Sequence, residues 1–385
     1  MGTGGDGGVG PFLIESSVND LYHAPMSLFQ GRSAACPASG SLFQKVFMSA
    51  PITELLQRAA DQRSDLIAQL HAQDTNAYRL FHGSAEGRPG LSVDRYGDLL
   101  LLQTFHHPLE ADEHQAILEF YQTAQPGLTA VYNDRSGANS RVGNRLDPEA
   151  QAVAEQPRLA RELGISYQIQ ARHAGQDPWL FLDLRAGRRR VMELAEGKSV
   201  LNLFAYTCGV GIAAARAGAA FVMNVDFAES SLAIGRANAK LNDLPHRPRF
   251  VQSDVFAAVR QLSGIGQPER VRGKRMPPFP TLEPRQFDLV FLDPPRYAKS
   301  PFGVVDLVND YAALFKPALL TTAPGGTLIC CNNVAQVDRD TWLAQLTRSA
   351  AKAGRPVHDV EWIVPEADFP SYDGQAPLKM ALLHV

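Results

Sequence analysis

The stretch Ser199-Val-Leu-Asn-Leu-Phe-Ala-Tyr-Thr-Cys-Gly-Val-Gly-Ile-Ala-Ala-Ala215 changes texture twice. It begins as an apolar strand, turns at Gly209 and Gly211, and continues as a helix of small residues. Neither glycine has a side chain, so a ligand can approach the backbone closely there. The next strand, Phe221-Val-Met-Asn-Val-Asp226, ends in a carboxylate followed by Phe227. An acid at that place can bind both hydroxyls of a ribose. A third strand ends at Ser253-Asp254-Val255, where a carboxylate or a backbone N–H meets an adenine edge. Read alone, the glycine pair is a tight turn, and Gly209-x-Gly211-x-x-Ala214 also satisfies the dinucleotide pattern. Strand, turn, helix and acid together predict an adenosine-containing cofactor. They leave NAD and S-adenosylmethionine both open.

A second stretch separates the two: Gln286-Phe-Asp-Leu-Val-Phe-Leu-Asp293-Pro294-Pro295-Arg296-Tyr297. A buried strand delivers an acid and two prolines to the carboxyl edge of the sheet, where open α/β proteins bind ligands. The prolines fix φ and lack N–H donors, so their carbonyls point rigidly at an amino group or a flat base. Nucleobase methyltransferases use an Asp/Asn-Pro-Pro turn in this way, and NAD enzymes have no such element. The competing reading is a helix start with proline in its first turn. S-adenosylmethionine is the cofactor expected, and no metal is expected.

Outward from these motifs, the chain beyond about residue 155 alternates strand and helix. Strands are predicted at 165–171, 199–204, 221–226, 249–252, 287–292, 326–331, 358–364 and 378–384, with helices including 229–242 and 306–322. This pattern predicts a doubly wound, Rossmann-like α/β sheet closed by a terminal antiparallel pair. Upstream, Tyr78–Phe81, Leu91–Asp94 and Leu99–Gln103 read as strands, 111–124 as a helix, and 130–132 as a further strand. The expected organisation is a leader and N-terminal helix over 1–77, a small α+β substrate-recognition module over 78–150, and a methyltransferase domain over 151–385. Residues 267–285 combine proline with basic residues and read as a long mobile insertion.

The 385 residues are 45% hydrophobic and 20% charged, as in ordinary globular proteins. No apolar run is long enough to span a bilayer, and the start MGTGGDGGVG lacks the features of a signal peptide. The four cysteines, Cys36, Cys208, Cys330 and Cys331, show no metal-ligand spacing. A reducing cytoplasm is the location expected, and a monomer or homodimer the state. A net charge of −3 does not announce a nucleic-acid binder, so any RNA-facing surface must be local.

The strand Pro324-Gly-Gly-Thr-Leu-Ile-Cys330-Cys331-Asn332-Asn333 also ends at the catalytic edge. Neighbouring side chains on a strand face opposite ways, so only one of the two cysteines can face a substrate. A cysteine here can attack carbon 6 of a pyrimidine and make carbon 5 nucleophilic. It can equally be a packing residue.

In order and wording, these motifs resemble the ribosomal RNA large-subunit methyltransferase family, which includes bacterial 5-methylcytosine enzymes and related 7-methylguanine enzymes. The likeness covers roughly residues 78–385. It includes Gly87-Arg-Pro-Gly-Leu-Ser-Val-Asp94-Arg95-Tyr96-Gly97-Asp98, Phe181-Leu-Asp183-Leu-Arg185, Asn202-Leu-Phe204-Ala205-Tyr206-Thr207 and Asp293-Pro-Pro. The resemblance implies that Phe181, Asp183 and Arg185 lie against the cofactor. It implies the same of Asn202, Phe204, Ala205, Tyr206 and Thr207, with Asp226 on the ribose. Cys331 matches the nucleophile of the 5-methylcytosine members, whereas Asn332-Asn333 looks like the Ser-Asn-Asn of the 7-methylguanine members. Cys331-Asn332 also resembles the Cys-Asn of 5-methyluridine enzymes. The 5-methylcytosine members usually carry an N-terminal PUA domain, for which residues 1–77 look too short.

The function expected is methylation of a ribosomal RNA base, at cytosine C5 through Cys331 or at guanine N7 without covalent catalysis. Asp293, Pro294, Pro295 and Asn332 complete the catalytic set. Arg185, Arg188, Arg189 and Arg190, then Arg141 and Arg145, then Arg270, Arg272, Lys274 and Arg275 are candidate phosphate contacts. Tyr297 is a candidate stacking residue for an extruded base. The rivals from other classes are an NAD-dependent oxidoreductase and a non-catalytic RNA-binding module.

Overall fold

The computed structural model describes residues 50–137, 140, 146–172 and 178–385. The leader over 1–48, Cys36, Arg141 and Arg145 lie outside the described residues.

Four strands form a first sheet: β1 (Ala77–His82), β2 (Leu91–Tyr96), β3 (Leu99–Thr104) and β4 (Thr129–Asp134). The first three are antiparallel, and β4 runs parallel to β3. The β2–β3 turn requires glycine: Gly97 has φ +64°, and a Cβ there would lie 2.2 Å from the Leu159 carbonyl oxygen. Helices Ile52–Ala72 and Ala111–Ala124 cover one face of this sheet. Leu55, Leu56 and Ala59 pack there among Leu80, Phe81, Val93, Leu100 and Leu102. The helix Ile52–Ala72 therefore shares a core with strands beyond residue 77. The opposite face sets Ala77, Tyr96, Leu99 and Leu101 against Ile165, Tyr167, Leu180 and Ile212 of the larger domain.

β5 (Arg158–Glu162) and β6 (Ile165–Ile169) form a separate antiparallel ribbon. This corrects the expectation that 165–171 joins the parallel sheet. The outward N–H groups of Ser166 and Gln168 donate to the side-chain oxygens of Asn242 and Asn238, each at 2.8 Å, in place of a neighbouring strand.

The main sheet gathers β7 (Ser199–Leu203), β8 (Phe221–Asp226) and β9 (Arg249–Gln252) with later strands. After β9 come an exposed hairpin of β10 (Arg270–Val271) and β11 (Lys274–Arg275), then β12 (Phe287–Leu292). A second hairpin, β13 (Tyr297–Ser300) and β14 (Gly303–Asp306), precedes β15 (Thr322–Asn332), β16 (Asp359–Ile363) and β17 (Lys379–His384). The order across the sheet is β16-β17-β15-β12-β7-β8-β9. β7, β8, β9, β12 and β15 are parallel, and β17 is antiparallel to both neighbours, which gives the closing antiparallel pair.

The central strands are buried on both faces, so they read as continuous apolar runs. Leu201, Leu203, Val290, Leu292 and Cys330 pack beneath the layer holding Val259, Leu314 and Trp342. Val200, Leu289, Phe291 and Cys331 pack against Val191 and Ala214 on the other side. The chain winds outward from β7 through β8 to β9, then returns beside β7 as β12 and winds the other way. A crevice opens at such a switch point, outside the carboxyl ends of β7 and β12. Asp293-Pro-Pro enters the β13–β14 hairpin, and the following helix spans only Ala312–Thr321. This corrects the helix expected over 306–322 and excludes the reading of Asp-Pro-Pro as a helix start.

Candidate active site

The loop leaving β7 is strained in a regular way. Phe204, Tyr206 and Cys208 have φ of 57°, 48° and 64°, a left-handed region that residues with a Cβ rarely enter. Such strain persists only where the surroundings over-determine it. Here Asp226 does so: one carboxylate oxygen accepts from the Tyr206 N–H and the other from the Ala228 N–H, both at 2.8 Å. The Ala205 N–H donates to the Val225 carbonyl at 3.0 Å, and the Thr207 hydroxyl donates to the Trp179 carbonyl. Burial pushes the Asp226 carboxyl up to about 6 despite its N–H donors. The Phe181 and Tyr206 rings lie 5.3 Å apart beside this loop. At the end of β9, Asp254 caps the helix Val255–Leu262 by accepting from Phe256 N–H at 2.9 Å.

Gly211 is required for a different reason from the one its sequence motif offers. A Cβ there would lie 1.9 Å from Asn224 Oδ1, whereas at Gly209 it would make only ordinary contacts. Glycine at 211 lets its helix settle onto the Asn224 side chain, whose Oδ1 also accepts from Asn202 Nδ2 at 2.9 Å. Asn202, Asn224 and Gly211 are thus one buried packing unit beneath the loop.

Asp293, Pro294 and Pro295 lie beside this loop at the end of β12. Burial pushes the Asp293 carboxyl up to about 7; the nearby Asp183 carboxylate adds to the rise, and Arg188 and a Cys331 hydrogen bond oppose it. Burial and the Asp293 and Asp183 carboxylates push the Cys331 thiol well above the ordinary thiol range. Cys331 is fully enclosed, with Phe291 and Met380 in the same cluster. Cys330 faces the opposite layer, with Tyr311, whose hydroxyl donates to the Cys331 carbonyl at 2.9 Å. The alternation expected of adjacent cysteines holds, and Cys331 is the one beside Asp293. Asn332 is buried with both ends of its amide engaged. Its Nδ2 donates to the Leu307 carbonyl at 3.2 Å, and its Oδ1 accepts from Val334 N–H at 3.0 Å. Asn333 Oδ1 is buried without a hydrogen-bond partner among the described residues.

Of the arginines near residue 185, Arg185 and Arg188 are buried in ion pairs and present no surface to a phosphate, while Arg189 and Arg190 are partly exposed. Arg185 is 0% exposed and spans Glu366 at 2.7 Å, Asp368 at 2.6 Å and the Ala77 carbonyl at 3.0 Å. Arg188 is buried against Glu162 at 2.5 and 2.8 Å and donates to the Phe181 carbonyl at 2.7 Å. Arg189 pairs with Glu366, and Arg190 with Glu193 and Glu361. Arg185 therefore bolts the N-terminal module to the β16–β17 loop. The insertion is likewise anchored, because Gln261 bonds both Pro280 and Leu282. Its β10–β11 tip leaves Arg270, Arg272, Lys274 and Arg275 exposed.

Residues 78–384 match the family of S-adenosylmethionine-dependent methyltransferases. The chain belongs to that family. Among curated relatives, a ribosomal RNA large subunit methyltransferase I from Escherichia coli is 29% identical over 323 residues, 83% of this chain and 75% of its own. The protein of that name from Aeromonas salmonicida is 28% identical over 320 residues, covering 82% and 74%. A ribosomal RNA large subunit methyltransferase from Deinococcus radiodurans is 29% identical over 306 residues, covering 78% and 70%. A solved methyltransferase complexed with SAH aligns with a TM-score of 0.68 at 24% identity, over 86% of this chain and 80% of that one, and shares the fold.

The methyltransferase's crevice suits its cofactor. S-adenosylmethionine supplies a methyl group on a sulfonium cation, with a neutral thioether as leaving group. The Asp183 carboxylate is close enough to raise the proton affinity of Asp293, so a cation beside the two is favoured electrostatically. Among the described residues no helix is long and apolar enough to cross a membrane.

Proposed function

We propose that this methyltransferase modifies a base of large-subunit ribosomal RNA in the cytoplasm, at cytosine C5 with Cys331 as nucleophile. The names of the curated relatives support the substrate class. The observation that carries the chemistry is that Cys331 lies beside Asp293, whose carboxyl burial pushes up to about 7. A nucleophile within reach of a base whose affinity is tuned near neutrality is the signature of covalent catalysis. In this reading Asp293 takes the thiol proton, and the Cys331 sulfur bonds to C6 of the ring. Electron density then moves to C5, which takes the methyl group. Water takes the C5 proton, the C–H electron pair forms the C5–C6 double bond, and the S–C6 bond breaks to release the Cys331 thiolate, which recovers its proton from Asp293. Pro294 and Pro295 carbonyls orient the base, and Tyr297, 45% exposed, stacks on it.

In the same reading Asp226 and Phe227 hold the ribose of the cofactor, and Asp254 and Val255 its adenine. Phe181, Asp183, Phe204, Ala205, Tyr206 and Gly209 line the remainder. Asn202, Thr207, Gly211 and Arg185 support that surface from behind, as their partners require.

One observation favours a second reading, guanine N7. Cys331 is fully enclosed and its thiol is held protonated, whereas N7 attacks with its own lone pair and needs no thiolate. Nucleoside mass spectrometry of ribosomal RNA from cells with and without the gene decides. Loss of 5-methylcytosine, restored by wild type but not by Cys331→Ala, supports the first reading. Loss of 7-methylguanine, restored by both, supports the second. No change in any ribosomal nucleoside overturns the assignment to ribosomal RNA.

A further inference from the structure

A polar row crosses the four-stranded sheet of the N-terminal module. His82 is opposite Ser92, Ser92 opposite Gln103, and Gln103 is in register with Asn133. Strand alternation puts Gln103 on the face used by Leu99 and Leu101, the face turned to the methyltransferase domain. Gln103 is 4% exposed and Ser92 2%, yet Gln103 Nε2 and Ser92 Oγ have no hydrogen-bond partner among the described residues. More than nine in ten buried polar groups are paired, so two unpaired neighbours on one register row require a cause.

The cause lies in what Gln103 faces. It lines a cavity between the module and the methyltransferase domain, together with Phe105, Phe181, Asp183 and Phe369. Asp183 is close enough to raise Asp293's proton affinity, so the cavity adjoins the Asp-Pro-Pro turn. Its two arginines are committed: Arg79 forms a bidentate pair with Asp94 at 2.8 and 3.0 Å and covers the Phe369 ring at 4.5 Å, and Arg135 covers Phe105 at 5.3 Å. Carboxylates, committed guanidiniums, aromatic faces and an unpaired amide do not suit a phosphate. They suit a flat, uncharged ring with a polar edge.

We propose that this cavity receives an extruded nucleobase of the RNA substrate and that Gln103 reads its edge by donating from Nε2 to a ring nitrogen or carbonyl oxygen. This rests on the RNA-base reading above and adds the residue that selects the base. The unpaired amide is tolerated in the free enzyme because the ligand completes it.

The test is Gln103→Leu, compared with wild type for methyl transfer into total RNA from a strain lacking the gene, with S-adenosylmethionine affinity and Tm measured alongside. Leucine removes an unsatisfied buried amide, so Tm should hold or rise. The expected result is a loss of about 10- to 100-fold in kcat/KM for RNA at unchanged cofactor affinity, the worth of one buried hydrogen bond. Equal transfer by variant and wild type would leave Gln103 facing water only and overturn the proposal. A parallel fall in cofactor affinity would mean that Gln103 itself contacts the cofactor, and would also overturn it. Should wild type methylate a non-ribosomal RNA, the ribosomal assignment fails while the Gln103 comparison still decides. Transfer to no RNA at all overturns both.

Discussion

Replacing Arg185 with methionine keeps most of the side chain's length and removes its charge and its donors. In the native protein the guanidinium is enclosed between Glu366, Asp368 and the Ala77 carbonyl. Asp368 is itself 0% exposed, and its second oxygen accepts from the Arg79 N–H at 3.0 Å. Removing one member of such a buried pair leaves an uncompensated carboxylate, which costs about 3–5 kcal/mol. At about 2 °C per kcal/mol for a chain of this size, Tm should fall by about 6–10 °C. Urea denaturation at 15 °C, with near-ultraviolet circular dichroism to confirm native packing, measures the same loss. Asp368→Asn in the Arg185→Met background should recover part of it, because the two act as a unit. Calorimetric titration of the folded variant should give an S-adenosylmethionine affinity within about threefold of wild type. If Arg185→Met left stability unchanged while weakening cofactor binding tenfold or more, Arg185 would be a cofactor ligand and the bolt reasoning would be wrong.

The Asp293 carboxyl, pushed up to about 7, should impose an ascending limb on kcat/KM through neutral pH, about tenfold per unit below it, and Asp293→Asn should abolish that limb along with most activity. The stability sign is opposite: a raised folded value favours folding at low pH and loses that contribution as pH rises through 7, so Asp293→Asn should gain stability relative to wild type at pH 8 and not at pH 4. Gly211→Ala should cost about 1–3 kcal/mol in urea denaturation from overpacking against Asn224, and Gly211→Ala/Asn224→Ala should be less destabilised than the sum of the single changes; strict additivity would rule out the contact. Replacing Arg270, Arg272, Lys274 and Arg275 with serine should weaken RNA binding and flatten its salt dependence by about 0.7 per lost phosphate contact in filter-binding titrations, and an unchanged slope would make the hairpin a solvated tip.

The catalytic edge was legible because its strands are buried on both faces and write themselves as unbroken apolar runs. Ser199–Leu203, Phe221–Asp226 and Phe287–Leu292 could be recognised as strands, with the acids Asp226 and Asp293 at the carboxyl ends of the second and third. Pairing was less legible. Residues 165–169 alternate as a strand should, but period alone does not say which strand is the partner, and their free edge is met by asparagine side chains of a helix. The burial of Arg185 and Arg188 was illegible for a related reason. A charge cluster reads locally as surface, and the acids that bury Arg188 and Arg185 lie 26 and 181 to 183 positions away. Gln103 closes the apolar strand Leu99–Thr104 and carries no local signal at all; its cross-strand neighbours and the cavity appear only in three dimensions.

Some buried polar groups in this methyltransferase are satisfied by the fold and others are not. Arg185, Arg188, Asn202 and Asn332 are buried with their donors engaged, and every engaged donor points at a fixed partner from another part of the chain. Such groups define one arrangement of module, sheet and loop. Gln103 Nε2, Ser92 Oγ and Asn333 Oδ1 are also buried, but they lack partners among the described residues. An unmade buried hydrogen bond costs about 1–3 kcal/mol, and a chain that satisfies Arg185 three times over has the means to satisfy an amide. Unpaired buried atoms also occur away from the site, among them Asn224 Nδ2 and Trp342 Nε1, but Gln103 Nε2 and Ser92 Oγ fall on the polar row beside the cavity and Asn333 Oδ1 on the strand end after Cys331, where a ligand can complete them. Asp183, raised by burial and the Asp94 charge, and Asp293, raised by burial and the Asp183 charge, hold the same kind of deficit in electrostatic form between those two places. A cationic cofactor relieves the carboxylates and a base edge relieves the amide. The costs stored in the free enzyme thus correspond to the two partners its chemistry needs.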